Sequence, residues 1–205
     1  MTHSESPESV VKRRGRPPSG GKEAILAATL DLLRERGIAR LNTREVAQRA
    51  GVSEASVYYH YKDRAGLLRA VFETGLEPLR ELAERELGEP DHEQALTRMA
   101  SAIEAFLDRA LPVLAAAQSD TELRDSLAAY MNEHDLGPHR GVRMVATYIK
   151  GEQAAGHVKP EVDPEAAALM LVGGCYLRAA QRQMLGHDRK LPSLERLVAG
   201  LDDLL

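Results

Sequence analysis

Asn42-Thr43-Arg44-Glu45-Val46-Ala47-Gln48-Arg49-Ala50-Gly51-Val52-Ser53-Glu54-Ala55-Ser56-Val57-Tyr58-Tyr59-His60-Tyr61 is the stretch that decides how this chain folds. Two short helices are written in it. Asn42 can accept a hydrogen bond from the free backbone N–H groups of a first helical turn, and Glu45 three residues on completes a capping-box pattern. Val46, Ala47 and Ala50 fall on an inward face. Gly51 can take the positive φ that a sharp turn needs, and Val52 can plug the space between the two helices. Ser53 can cap a second helix running through Val57 to about Tyr61. Tyr58 and Tyr59 are adjacent and cannot face one core, so at least one of them is exposed, whereas Tyr61 reads as core. The whole is a helix-turn-helix pattern.

Working outward, the apolar pattern from Lys22 is helical. Ile25, Ala28 and Leu32 form one stripe, Leu26, Leu30 and Leu33 lie beside it, and Gly37 stops the helix as a C′ glycine. A fourth helix starts at Asp63 and carries Leu67, Leu68, Val71 and Phe72. Longer helices are expected over 91–116, 121–134, 138–155, 164–186 and 192–205. Asp91 caps one. Asp163-Pro164 pairs a cap with a proline at the first helical position, and Pro192 opens the last helix in the same way. Pro78 and Pro112 interrupt helical patterns, so each should kink or split its helix. No segment alternates with the period of a strand, and aromatics are only 4%, which weighs against a β barrel or sandwich. The expected fold class is all-α: a small N-terminal three-helix DNA-binding domain over 22–71, and a larger helical domain over 72–205. Residues 1–21, rich in Ser, Pro and Gly, form a flexible basic arm before them.

The net charge of −4 hides an asymmetry. Residues 1–71 hold 13 Lys and Arg against 8 Asp and Glu, and residues 72–205 hold 14 against 23. Only the front suits a polyanion. A helix-turn-helix places its second helix in the major groove. Small residues at the start of that helix let its backbone sit deep, while Tyr hydroxyls reach phosphates and rings pack on sugar or thymine methyls.

Gly37, the run Asn42–Ser53, Val57-Tyr58-Tyr59-His60-Tyr61-Lys62-Asp63-Arg64 and Leu67-Leu68 together resemble the tetracycline-repressor (TetR) family of bacterial transcription regulators, over about a quarter of the chain. The resemblance implies a DNA-backbone role, and at times a base contact, for Thr43 and Arg44. It places Glu54, Ala55, Ser56, Tyr59 and His60 near base edges or phosphates, and makes Tyr58 a phosphate contact. It sets Lys62 and Arg64 at the start of helix four, where a cation and the helix N-terminus both favour phosphate. Tyr61 and Arg64 stand where Phe and Lys are usual, and both keep the physical role. Glu54 either accepts from a cytosine amine or points away from DNA. In the arm, Lys12-Arg13-Arg14-Gly15-Arg16-Pro17-Pro18 resembles an AT-hook, and Arg13, Arg14 and Arg16 would enter an A·T-rich minor groove.

A helix-turn-helix reads a half-site and a dimer reads two, so a palindromic operator and a homodimer are expected. The resemblance puts the dimer interface on the last two long helices. Residues 166–177 are apolar nearly all the way round, with Gly173 and Gly174 permitting close approach. Leu169, Val172, Gly173, Tyr176 and Leu177, with Leu194, Leu197, Val198 and Leu201, would form a four-helix bundle from two copies. Family members usually hold an effector pocket in the helices between the DNA-binding domain and the dimer helices. Met99, Ile103, Phe106, Tyr130, Met131, Met144 and Tyr148 are the candidates here, and the scarcity of charge on those faces points to a small apolar effector. The same stripe also reads as plain core.

No catalytic arrangement, cofactor motif or metal-ligand set is visible. Gly15 to Lys22 misses the P-loop spacing, has Glu23 where Ser or Thr is needed, and follows no strand. Gly137-Pro138 breaks the register between His134-Asp135 and His139. Cys175 excludes a disulfide framework and reads as inert packing. No membrane span or leader is evident, and a bacterial cytoplasmic location is expected. The function expected is a ligand-released repressor. The alternative is an architectural DNA-binding protein without an effector.

Overall fold

The computed structural model describes residues 21–37, 41–84 and 92–205. Among these residues every regular secondary-structure element is a helix. The helices are α1 (Gly21–Arg36), α2 (Thr43–Ala50), α3 (Glu54–Tyr61), α4 (Arg64–Gly75), α5 (Glu77–Glu84), α6 (His92–Gln118), α7 (Thr121–Glu133), α8 (Pro138–Ala155), α9 (Pro164–Leu185) and α10 (Leu194–Asp202).

Local chemistry sets most of the boundaries. Side chains of Asn42, Ser53, Asp63, Asp120, Asp163 and Ser193 each accept from a backbone N–H in the first turn that follows. Gly37 and Gly51 adopt φ of +68°, closing α1 and α2 in the left-handed region. Pro78 falls in the first turn of α5 and separates it from α4. Pro112 does not split α6, which runs on from His92 to Gln118 with the proline inside it. One proline expectation changes. Pro192 does not open α10. Ser193 caps that helix, and the Pro192 carbonyl accepts from the Arg178 guanidinium instead. The expected cap Asp91 lies outside the described residues.

One core gathers Ile25, Leu32, Val46, Val57, Leu68 and Phe72 from α1 to α4. It also takes Ala110, Val113 and Ala117 from the second half of α6, and Leu123 and Leu127 from α7. The other joins α5, the first half of α6, α8, α9 and α10 around Leu96, Met99, Ile149, Leu171 and Val198. Helix α6 therefore belongs to both. The boundary expected after residue 71 falls inside α4, because Phe72 still packs in the first core, edge-on to Phe106 of α6 at 5.7 Å. No described helix is long and apolar enough to cross a membrane.

Candidate nucleic-acid interface

Helix α3 is held by one buried residue, Val57, and shows most of its other side chains to solvent. Tyr59 is 83% exposed and Tyr58 50%, so both adjacent tyrosines face outward. Tyr61 is half-buried against the first core, its hydroxyl donating to the Lys22 carbonyl at 3.3 Å. Glu54 and Ala55 are exposed and Ser56 is half-buried, which leaves the start of the helix slim enough for close approach to a groove. Tyr59 and His60 rings meet edge to face at 5.1 Å.

The start of α2 is stitched to α3. The Thr43 hydroxyl donates to Glu54 at 2.7 Å, and its oxygen lies 3.2 Å from the Tyr58 hydroxyl. Glu54 thus has a partner within its own fold. Arg44 is exposed beside this cluster. Behind it, α1 grips α2 through Arg49, which donates two hydrogen bonds of 2.8 Å to Glu35. That bidentate contact holds the Glu35 carboxyl below its ordinary range. Arg36 reaches Glu45 at 3.2 Å.

Lys62 closes α3 with φ of +61°, donating its N–H to the Tyr58 carbonyl at 2.9 Å. The chain then enters α4 under the Asp63 cap. Gly66 is required there, since a Cβ on it would run into the Tyr61 carbonyl oxygen. Of the two cations at this corner, Lys62 is exposed, whereas Arg64 is ion-paired with Asp120, the N-cap of α7. Sequence reasoning missed Gly66 and Asp120. The first had a local signal, a glycine in the opening turn of a helix. The second, 56 residues from Arg64, had none.

The seven effector candidates are spread over both cores. Met99 and Ile103 are packed in the second core, and Tyr148 is buried with its ring against His92 at 5.1 Å. Tyr130 and Met131 lie against the first core, while Phe106 touches both. Met144 and Tyr148 line a groove of 610 Å³ beside Leu82, Arg140 and Arg143. Met131 lines another, of 430 Å³, between α6, α7 and α9. His139 and Arg140 both contact Asp135, and His134 bonds the Tyr130 carbonyl at 2.9 Å. Cys175 is fully buried, and burial pushes its thiol up to about 12.

The expected dimer residues divide by face. Leu169, Gly173, Tyr176 and Leu177 are exposed along α9, and Val172, Leu194 and Leu197 are half-buried. Val198 and Leu201 sit in the chain's own second core, because α10 leans on α6 and α9. Gly174 faces inward, where a Cβ would come within 2.7 Å of Leu197, whereas Gly173 has open space around it. Arg13, Arg14 and Arg16 lie outside the described residues.

Residues 25–71 match the family described as bacterial regulatory proteins, tetR family. The transcriptional regulatory protein RaaS of Mycobacterium tuberculosis is 31% identical over 173 residues, spanning 77% of this chain and 76% of RaaS. A TetR transcription regulator from Haloarcula marismortui has the same fold, with a TM-score of 0.64, 20% identity, and coverage of 91% and 98% of the two chains. So has FadR of Bacillus subtilis, solved with stearoyl-CoA, with a TM-score of 0.55, 17% identity, and coverage of 89% and 96%. With its exposed α3, its capped α2–α3 turn and these relatives, the chain belongs to the TetR family of bacterial transcription regulators, which bind DNA through this helix-turn-helix.

Proposed function

We propose that the protein is a cytoplasmic homodimeric repressor that binds a palindromic operator and is released from it by a small, largely apolar effector. The outer face of α9 carries this reading. Leu169, Met170, Tyr176, Leu177 and Met184 are each more than half exposed, with Gly173 among them. A contiguous apolar face of this kind is the mark of a partner surface. A second copy related by a two-fold axis would cover it, and would set two α3 helices on successive major-groove half-sites. Thr43, Arg44, Tyr58, Tyr59, His60 and Lys62 would carry the DNA contacts, and Arg13, Arg14 and Arg16 would add minor-groove contacts from the arm.

The effector seat we propose is the 430 Å³ groove walled by Leu111, Leu114, Leu127, Met131, Tyr176 and Met184. Its wall includes two residues of the bare α9 face, so the second copy would roof it. FadR, which shares the fold, holds a fatty-acyl ligand. A ligand favouring one spacing of the two reading heads would shift the population away from the DNA-bound form.

The test is fluorescence anisotropy with palindromes from upstream of the gene and its neighbours, at two salt concentrations, alongside sedimentation of the free protein. A dimer with tight palindrome binding that survives competitor DNA supports the reading. Equal, steeply salt-dependent binding to any A·T-rich duplex overturns it in favour of the architectural alternative.

A further inference from the structure

Pro112 has no N–H, so the Asp108 carbonyl four residues earlier loses the donor that an unbroken helix would supply. Helix α6 continues regardless, and the carbonyl finds its partner elsewhere. Arg34, in the last turn of α1, donates to it through Nη2 at 2.7 Å across a sequence separation of 74. A guanidinium hydrogen bond is among the stronger ways to satisfy such a group. The neighbours of Arg34 bind the other way, Glu35 to Arg49 and Arg36 to Glu45, so the end of α1 grips α2 and α6 together.

The side chain of the same Asp108 faces α9. Its Oδ1 accepts from Arg182 Nε at 3.2 Å and Nη2 at 3.0 Å. Arg182 also pairs with Glu104 at 2.9 Å and with Asp188 at 3.1 Å. Arg178, whose side chain is 11% exposed, pairs with the same Glu104 at 2.6 Å and the same Asp188 at 2.8 Å. Charges drawn from α6, α9 and the loop after α9 thus lock together on the inner side of the helix whose outer face is bare.

We infer that Asp108 is a positioning residue for operator recognition: α6 already shares a core with the DNA-reading head, and Asp108, with its carbonyl on Arg34 and its carboxylate on Arg182, adds the polar strap that sharpens the angle between the head and α9, and so the half-site spacing that a dimer accepts. The inference rests on the homodimer reading. In a two-fold dimer the separation of the two α3 helices is set by how rigidly each head is carried on the dimer helix. Between head and dimer helix this strap has a single intermediate residue, and it exists because a proline freed a carbonyl.

The test uses the full-length protein with a spin label at Gln48→Cys, an exposed α2 position. Cys175 is buried and stays unlabelled. The distance between the two heads is measured by double electron–electron resonance in the wild type, Arg34→Ala, Arg34→Lys and Pro112→Ala. Pro112→Ala returns an N–H to α6 and gives the Asp108 carbonyl its helical donor back without removing a charge; because Pro112 is buried, the variant also trims the core, and Arg34→Ala is the cleaner of the two. A narrow distribution is expected for the wild type. Arg34→Ala and Pro112→Ala should broaden it at least twofold, with Arg34→Lys intermediate. In parallel, the unlabelled proteins are tested on a palindrome selected from random duplexes by the wild type, then lengthened and shortened by one base pair at its centre. The wild type should discriminate between spacings at least tenfold, and both loosened variants threefold or less. If the wild type is a dimer but Arg34→Ala keeps a narrow distribution and full discrimination, the positioning role is overturned and the homodimer reading stands. A monomeric wild type overturns both.

Discussion

Helices α3 and α9 both hold a tyrosine about half exposed, Tyr58 at 50% and Tyr176 at 52%, yet the two faces ask for different partners. Around Tyr58 stand Thr43, Glu54, Arg44 and Lys62, every one polar or charged. On the same exposed face of α9 as Tyr176 stand Leu169, Gly173, Leu177 and Met184, none of them charged, with Arg124 of α7 lining the adjoining groove. Exposure alone therefore says little. A tyrosine among polar and charged side chains, in the half of the chain that carries excess positive charge, suits a phosphate backbone. A tyrosine among leucines suits another apolar surface.

A charge placed on the α9 face should break the comparison most sharply. Leu177→Glu should leave the fold intact, because the side chain is already 55% exposed, but bury an unpaired carboxylate in any two-fold interface. Sedimentation should show monomer, and affinity for a two-half-site duplex should fall by about 100-fold or more. On the other face, Gly66→Ala should cost about 1–3 kcal/mol of stability in urea titrations, as forced overpacking does. The added methyl would drive α4 away from the Tyr61 carbonyl and tilt α3 with it.

Tyr59→Ala should reduce DNA affinity roughly tenfold, the loss of one good contact, with dimer mass and melting temperature unchanged. Asp120→Asn should keep an acceptable cap on α7 but release Arg64 from its ion pair. Non-specific duplex binding should then rise about two- to threefold, and the slope of affinity against salt should steepen by about one counterion. The smallest effect concerns Cys175. Its folded pKa of about 12 lies above that of a free thiol, so its contribution to stability is complete below about pH 8.5 and is lost as pH rises through that range toward 12. Urea midpoints at pH 8 and pH 10 should differ less in Cys175→Ala than in the wild type.

The reading head was legible because its signals are local. A cap, a left-handed glycine, and a valine between two helices each act within a few residues. The caps of α9 and the helical span of α8 were legible on the same grounds. What the sequence hid was long-range. Residues 166–177 read as apolar all round, but which side would be bare depended on Arg178 and Arg182, whose partner Glu104 stands 74 residues before Arg178. The Met and aromatic positions chosen for an effector follow helical spacing correctly. Since α6 serves two cores, though, that spacing spreads them over both rather than around one cavity. Val198 and Leu201 face the chain's own second core, because α10 packs on α6 and α9, contacts far away in sequence that its own pattern does not show.

That double duty of α6 also determines how the molecule can come apart. Ala110, Val113, Ala116, Leu123 and Leu127 complete the core beneath the helix-turn-helix, so a fragment ending with α4 would leave Phe72, Leu68 and Val71 open to water. The head thus shares its core with α6 and α7 rather than closing it alone. Heat or denaturant should melt both halves in one transition, and a protease that cuts within α6 should silence DNA binding without touching a DNA-contacting residue.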